Sequence, residues 1–422
     1  MVETPWGHAS ELKKRKLSPG SGTPPEEVAR NQLERLYAAI VAVVSEKGFE
    51  STTVADVIGL CGVSRSDFYK HFDNKTQCLT AAAESFLEPT LRGVANGREA
   101  GRTEARATFE AFIRLICSQP AAARVCFIEL HAAGPDGDAL AERSFDAVVG
   151  LATRASGESS TALPLSRIVV GGIRKLIHTR LYRGQERELL DQAADLWRWV
   201  KTVQPPPQPL ETPRRQRGGG GPRFAGYTPA EKIAKAVARV VGEKGYHAMN
   251  TDDVAGTASI SLSTFYEHFA DKQDAVLAAL EMSGAQITAL AVPAARRAGD
   301  WEEGVRALYE AICAYFAAEP EMARLAMLGV YGAGQQALAR RDRVIDSLCA
   351  MLAPGFEANP EAPAISAEAV GATVYALMRE QVRTGGPGSL PTIVPLATYV
   401  TLVGFVGPLQ AVEVANGEKR RR

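Results

Sequence analysis

The groups in this chain best suited to chemistry are a phenol, an imidazole and an ammonium at fixed spacing, and they occur twice, as Tyr69, His71 and Lys75 and again as Tyr266, His268 and Lys272. Ahead of them lie Ser64, Arg65, Ser66 and Asp67 in the first copy, and Ser261, Leu262, Ser263 and Thr264 in the second. Such side chains can meet a ligand that offers phosphates and hydrogen-bonding base edges. No nucleophile–base constellation, phosphate loop or metal-ligand spacing accompanies them, so an enzyme is not expected and no cofactor or metal is implied.

The elements that position these groups are also duplicated. SEKGFE…SRSDFYKHFDNK from Ser45 matches GEKGYH…SLSTFYEHFADK from Gly242, pairing Gly48 with Gly245, Asp56 with Asp253 and Ser64 with Ser261 without a gap. Farther along, RATFEAF from Arg106 matches RALYEAI from Arg306. The repeat is therefore a whole domain-sized unit, far longer than the 20–50 residues or so of stacked repeat arrays. Two similar halves suit a length of 422 residues.

Within each half the apolar residues recur at helical spacing, as in Leu33, Leu36, Tyr37, Ile40, Val43 and Val44, or Ile233, Ala236, Val237, Val240 and Val241. Each run stops at a glycine, Gly48 or Gly245. No alternating strand pattern is apparent, and an all-α fold is expected. Thr53 with Asp56, and Asn250 with Asp253, read as helix N-caps backed by an acidic residue, so short helices should begin at Val54 and Thr251. Second short helices follow, capped by Ser64 and Ser261. Two short helices and a tight turn behind a longer helix make a helix-turn-helix. Phe68 and Phe72, like Phe265 and Phe269, are four apart and should face inward, leaving Tyr69, Lys70, His71 and the N-terminal Arg65, Ser66 and Asp67 outward.

Gly48-Phe49, Thr53-Val54-x-Asp56-Val57, Gly62-Val63-Ser64, Phe68-Tyr69-Lys70-His71-Phe72 and Asn74-Lys75 together resemble the DNA-binding domain of TetR-family regulators. Gly245-Tyr246, Asp253-Val254-Ala255, Ile260-Ser261, Phe265-Tyr266-Glu267-His268-Phe269 and Asp271-Lys272 resemble it again. The resemblance implies a bacterial transcription regulator, a repressor released by a small apolar effector, with double-stranded DNA as partner and a cytoplasmic, nucleoid-associated location. It places Tyr69, His71 and Lys75, with Tyr266, His268 and Lys272, on backbone phosphates. Ser64, Arg65, Ser66 and Asp67, and Ser261, Leu262, Ser263 and Thr264, would lie nearest the bases; Thr53 and Lys70 complete the expected DNA-binding set. Because family members pair, one chain is expected to form an intramolecular pseudo-dimer, with any further association left open.

The expected domains are a disordered basic arm (1–29), a first head (30–80) and helical body (81–203), a Pro/Gly/Arg linker (204–227), a second head (228–278) and body (279–412), and a basic tail (413–422). Lys plus Arg and Asp plus Glu both number 48, so no bulk charge advertises a nucleic-acid partner. Neither head is basic, and Glu267 and Leu262 stand where the first copy has Lys70 and Arg65. An alternative reading therefore makes the second head a sensing or protein-interaction module without DNA binding. Lys13 to Lys16, Arg214, Arg215, Arg217 and Arg223 read first as solvated charge, and second as arms lying along a duplex. The apolar stretch Leu390–Val406 reads as a buried helix rather than a membrane span. The six cysteines form no CxxC pair, which suits a reduced, cytosolic compartment. His131, Cys126, Trp197, Trp199, Met322, Met327, Tyr315, Phe316 and Tyr331 read as core or interface residues, and no ligand-binding residue is assigned.

Overall fold

The computed structural model describes residues 2–17, 22–96, 102–156, 165–212 and 228–418. By contacts the chain divides into two compact units, residues 1–160 with 176–197 and residues 161–175 with 198–422. This division departs from the expected first body at 81–203, because the segments 165–175 and 198–203 pack within the second unit. Among the described residues nearly all regular structure is helical, as the periodicity implied.

The first unit is built on α1 (Pro25–Lys47), α2 (Val54–Cys61), α3 (Arg65–His71) and α4 (Lys75–Asn96), followed by α5 (Arg102–Ser118), α6 (Pro120–Phe127), α7 (Pro135–Ser156), α8 (Leu165–Arg183) and α9 (Glu188–Thr202), the last two only in part. Proline at the first position and Glu26 and Glu27 in the first turn suit the N-terminus of α1. Its apolar face, Leu36, Ile40 and Val44, is fully buried against Val57, Phe68 and Leu79 from the next three helices. Gly48 ends the helix at φ 80°, donating its N–H to Val44 O.

The disordered arm expected over 1–29 is not what residues 2–17 form. A small antiparallel hairpin, β1 (Glu3–Thr4) and β2 (Gly7–His8), leads into a single 3-10 turn, Ala9–Glu11. Trp6 packs on Tyr37 with ring centroids 5.3 Å apart, and Leu12 is fully buried in the core of the head. Composition hid this because two well-placed apolar side chains suffice to anchor a short polar segment.

The second unit repeats the plan with α10 (Pro229–Lys244), α11 (Thr251–Ala258), α12 (Leu262–His268), α13 (Lys272–Arg296), α14 (Trp301–Ala318), α15 (Pro320–Met327) and α16 (Gly334–Cys349), and adds α17 (Ala353–Ala358), α18 (Ser366–Gly385), α19 (Val394–Val406) and α20 (Pro408–Asn416). Helix α13 and the stretch Pro387–Val406 are long and apolar enough to cross a membrane by length and composition, yet half and two-thirds of their apolar windows are buried inside the protein. Helix α19 is the core helix expected from Leu390–Val406. Its buried Thr398 and Thr401 return their hydroxyls to Val394 O and Ala397 O, so no polar atom is stranded there.

Within this same unit, residues 165–175 lie against α16 and α18. Arg167 pairs with Glu380 at 3.1 Å, Lys175 with Asp342 at 3.0 Å, and a Cβ at Gly172 would fall 2.0 Å from Thr373 Oγ1, so the backbones pass too closely there for any side chain. The first part of the expected linker is held as well: Tyr399 donates to Gln204 O (2.8 Å) and the Asn416 amide reaches Pro209 O and the Glu211 N–H. Arg214, Arg215, Arg217 and Arg223, the rest of that linker and the last four residues of the expected tail lie outside the described residues.

Candidate nucleic-acid interface

Each recognition helix is fixed at its start by a hydroxyl. Ser64 accepts from the Asp67 N–H at 3.1 Å, and Ser261 from the Thr264 N–H at 3.0 Å. Before them, Thr53 with Asp56 and Asn250 with Asp253 form reciprocal capping boxes at the starts of α2 and α11. Lys47 and Lys244 close these boxes with ion pairs to Asp56 and Asp253, both 2.6 Å. The hydrogen bond from the lysine, followed by the Thr53 contacts, holds the Asp56 carboxyl well below the usual carboxylate range, and Lys244 acts likewise on Asp253. Thr53 is therefore an exposed capping residue whose hydroxyl is already engaged.

Phe68 and Phe265 are completely buried, which turns the opposite faces of α3 and α12 to solvent. Tyr69 is 45% exposed and Tyr266 55%, unusual for aromatic side chains. Arg65, Ser66 and Lys70 are exposed beside Tyr69, and Leu262, Ser263 and His268 beside Tyr266. The Arg65 guanidinium lies 5.7 Å from the centre of the Tyr69 ring. Lys70 spends its charge on Asp67 at 2.7 Å, and the same Asp67 accepts from Ser64. His71 is half-buried with Nε2 at 3.0 Å from Gln32 Oε1, and burial lowers its pKa, favouring the neutral ring.

The two lysines depart from expectation. Lys75 Nζ donates to Phe49 O, Glu50 O and Thr52 O at 2.8, 3.2 and 2.8 Å, and lies 4.4 Å from the Phe49 ring centre. Lys272 repeats this on Tyr246 O, His247 O and Met249 O, over the Tyr246 ring. An ammonium has three protons. Both lysines use all of them to tie the start of α4 or α13 to the loop before α2 or α11, so their side chains brace the heads instead of reaching for phosphate.

The turn between the two short helices needs a left-handed residue. Gly62 supplies it at φ 68°, but the second copy uses Ser259 at φ 57°, the one described non-glycine residue with positive φ. Sequence reasoning also missed Glu129. Its buried carboxylate accepts from the Phe49 N–H at 3.0 Å and lies 3.6 Å from Arg124, linking α6 and its following turn to the first head. Burial raises its pKa. Gly329 occupies the matching position in the second half, and no sequence pattern marks the difference.

The second unit contains a cavity of about 600 Å³ lined mainly by apolar groups of α13, α14, α16 and α18, including Leu280, Ile287, Leu308 and Met378. Its polar lining includes Tyr309, Arg341 and Tyr375. Tyr375 donates to Ala326 O at 3.0 Å, Arg341 Nε to Asp342 at 2.9 Å, and Tyr309 bonds Thr401 at 2.8 Å. Although burial opposes its ionisation, Arg341 and Lys175 hold Asp342 at about 2. Of the residues read from sequence as core or interface, Met327 and Phe316 line this cavity, whereas Tyr315 turns to Ser283 and Gln286 and Tyr331 lies under Arg341 and Arg379. His131 pairs with Asp138 at 2.6 Å, Trp197 packs on Phe109, and burial raises the Cys126 thiol pKa.

Two capped helix-turn-helix heads, each on an all-helical body within one polypeptide, define the class of this protein. The family of bacterial regulatory proteins typified by tetR matches residues 36–82 and again 233–279. Over these two segments the chain is similar to the tetR family. It is 30% identical over 66 residues to the uncharacterized HTH-type transcriptional regulator YerO of Bacillus subtilis, covering 16% of this chain and 23% of that protein. It is 33% identical over 58 residues to YvdT, another such regulator from the same organism, covering 14% and 30%. The chain thus spans under a third of the length of these curated relatives. The fatty acid degradation regulator FadR from Bacillus halodurans superposes with a TM-score of 0.39 at 18% identity, over 42% of this chain and 96% of that one.

Proposed function

We propose that this chain is a DNA-binding transcriptional regulator, not an enzyme, whose two unlike heads read an imperfectly symmetric operator and whose hold on DNA is released by a small apolar ligand. The observation that carries the reading is the outward face of α3, where exposed Tyr69, Arg65 and Ser66 project from a helix rigidly capped by Ser64. Exposed aromatic hydroxyls and an arginine at the N-terminal end of a recognition helix suit phosphates and a guanine edge.

The cavity beside α13 supports the ligand-responsive part. Helix α13 begins at Lys272, the brace of the second head, and continues to Ile287 in the cavity wall, so an apolar guest that shifts α13 also shifts that head. A second reading, in which the second head has ceased to bind DNA, is favoured by Glu267 on its exposed face. Selecting bound fragments from random duplexes tests the choice. Two unlike half-sites, about 34–36 Å or a multiple apart, are expected for two reading heads; a single half-site supports the second reading, and no enriched sequence contradicts both.

A further inference from the structure

Among the charges of the first head, most cations are committed. Lys47 is paired with Asp56, Lys70 with Asp67, and Arg15 with Glu34 at 3.2 Å; Lys75 is bound by three carbonyls, and Arg35 is buried on the carbonyl of Cys61. The head's own sequence therefore leaves little positive charge for a polyanion. The folded N-terminal segment changes this. Its hairpin and 3-10 turn hold a second, short turn in which the Lys16 N–H donates to Lys13 O. Lys14 pairs with Glu11, but Lys13 and Lys16 are exposed and have no carboxylate partner among the described residues.

The position of this turn is fixed. Besides the Trp6–Tyr37 contact and the buried Leu12, the Asn31 side chain donates to Arg15 O at 3.1 Å and Arg15 donates to Trp6 O. Gly7, at φ 113°, lets the Arg15 guanidinium pass, since a Cβ there would lie 2.7 Å from Arg15 Nη1. At the other end, a Cβ on Gly62 would lie 3.2 Å from Lys13 Cγ. Lys13 thus rests on the residue that turns the chain from α2 into α3, immediately before Ser64 and Arg65.

We propose that this docked cap is a second phosphate-binding element of the first head, presenting Lys13 and Lys16 beside the α2–α3 turn to the sugar–phosphate backbone flanking the groove that α3 enters. The proposal rests on the DNA-binding reading given above. It assigns duplex DNA as the partner because Lys13 adjoins the turn that leads into α3 and Lys16 is held in the same short turn as Lys13, and because an ordered, unpaired cation adds affinity to a polyanion through counterion release.

The test measures binding of the full chain to a selected duplex by fluorescence anisotropy between 50 and 200 mM salt. Replacing Lys13 and Lys16 together by alanine should weaken binding about tenfold and lower the slope of log K against log salt by about 2, since each phosphate contact contributes roughly 0.9. The melting temperature should not move, because both side chains are solvated, and Lys14→Ala should bind like the unaltered chain. Trp6→Ala, which keeps both charges but loosens the cap, should also weaken binding. If the unaltered chain binds and the double variant matches it in affinity and slope, the inference falls alone. If the unaltered chain binds no duplex even at 50 mM salt, the DNA reading falls and takes the inference with it.

Discussion

The two recognition helices share a scaffold and differ in what they present. Both begin on a serine cap, bury a phenylalanine completely and expose a tyrosine one residue later. Yet Arg65 and Lys70 outweigh Asp67 by one positive charge on α3, whereas Glu267 leaves α12 one negative, with histidine neutral. The same contrast reaches the supports. The first head has an ordered cap and a buried tie from Glu129; the second has a glycine in place of that tie and a strained serine at its turn. The serine caps and buried phenylalanines are shared while the outward charges and several supports differ, which is the pattern expected if the two heads read different half-sites.

The sharpest way to break this comparison is to remove the two tyrosines separately. A hydrogen bond to a charged phosphate contributes about 1.5–3 kcal/mol, so Tyr69→Ala should weaken duplex binding by tens of fold, and Tyr266→Ala by clearly less, in titrations of a selected fragment. Equal losses would mean the charge difference between the heads is irrelevant. Next in size is Lys75→Met. Loss of three carbonyl contacts should cost about 1–3 kcal/mol in urea unfolding, and the salt slope of DNA binding should stay where it was; a slope reduced by one unit would return Lys75 to the phosphate contacts.

The turns give a paired test of opposite sign. Gly62→Ala must adopt a left-handed backbone and press on Lys13 and Arg35, so about 1–2 kcal/mol should be lost. Ser259→Gly relieves the corresponding strain and should raise stability by up to about 1 kcal/mol after the entropy of glycine is counted. Glu267→Lys should steepen the salt dependence by about 1–2 units if α12 lies on DNA, and leave it unchanged if the second head no longer binds.

Glu129 yields the smallest effect. Burial raises its folded pKa above the ordinary 4.5, so the folded state holds the proton longer than the unfolded one. Stability from this group is full below pH 4.5 and declines as pH rises through the folded value. The unaltered chain should therefore lose stability relative to Glu129→Gln as pH rises from 4.5 through the folded value, followed by thermal melts; a constant difference would remove the buried carboxylate from the account.

Much of the heads was legible because it rests on local rules. A hydroxyl or amide followed three residues later by an acid announces a cap, and phenylalanines four apart announce a buried face. Lys75 was misread because spacing locates a side chain along the chain but not the carbonyls that a folded loop brings to it. The N-terminal cap was misread because composition averages over Trp6 and Leu12, the two residues that anchor it. The cavity was illegible for another reason: Leu280, Leu308, Arg341 and Tyr375 come from four helices, and only packing makes them neighbours.

The central claim is that two tyrosine-bearing helices present themselves to a duplex. Its most direct test is a salt titration of the full chain on fragments selected from random double-stranded DNA, without effectors. With the Lys13 and Lys16 phosphate contacts alone, affinity should fall about tenfold between 50 and 200 mM salt. Binding that is absent, or indifferent to salt, would contradict the claim.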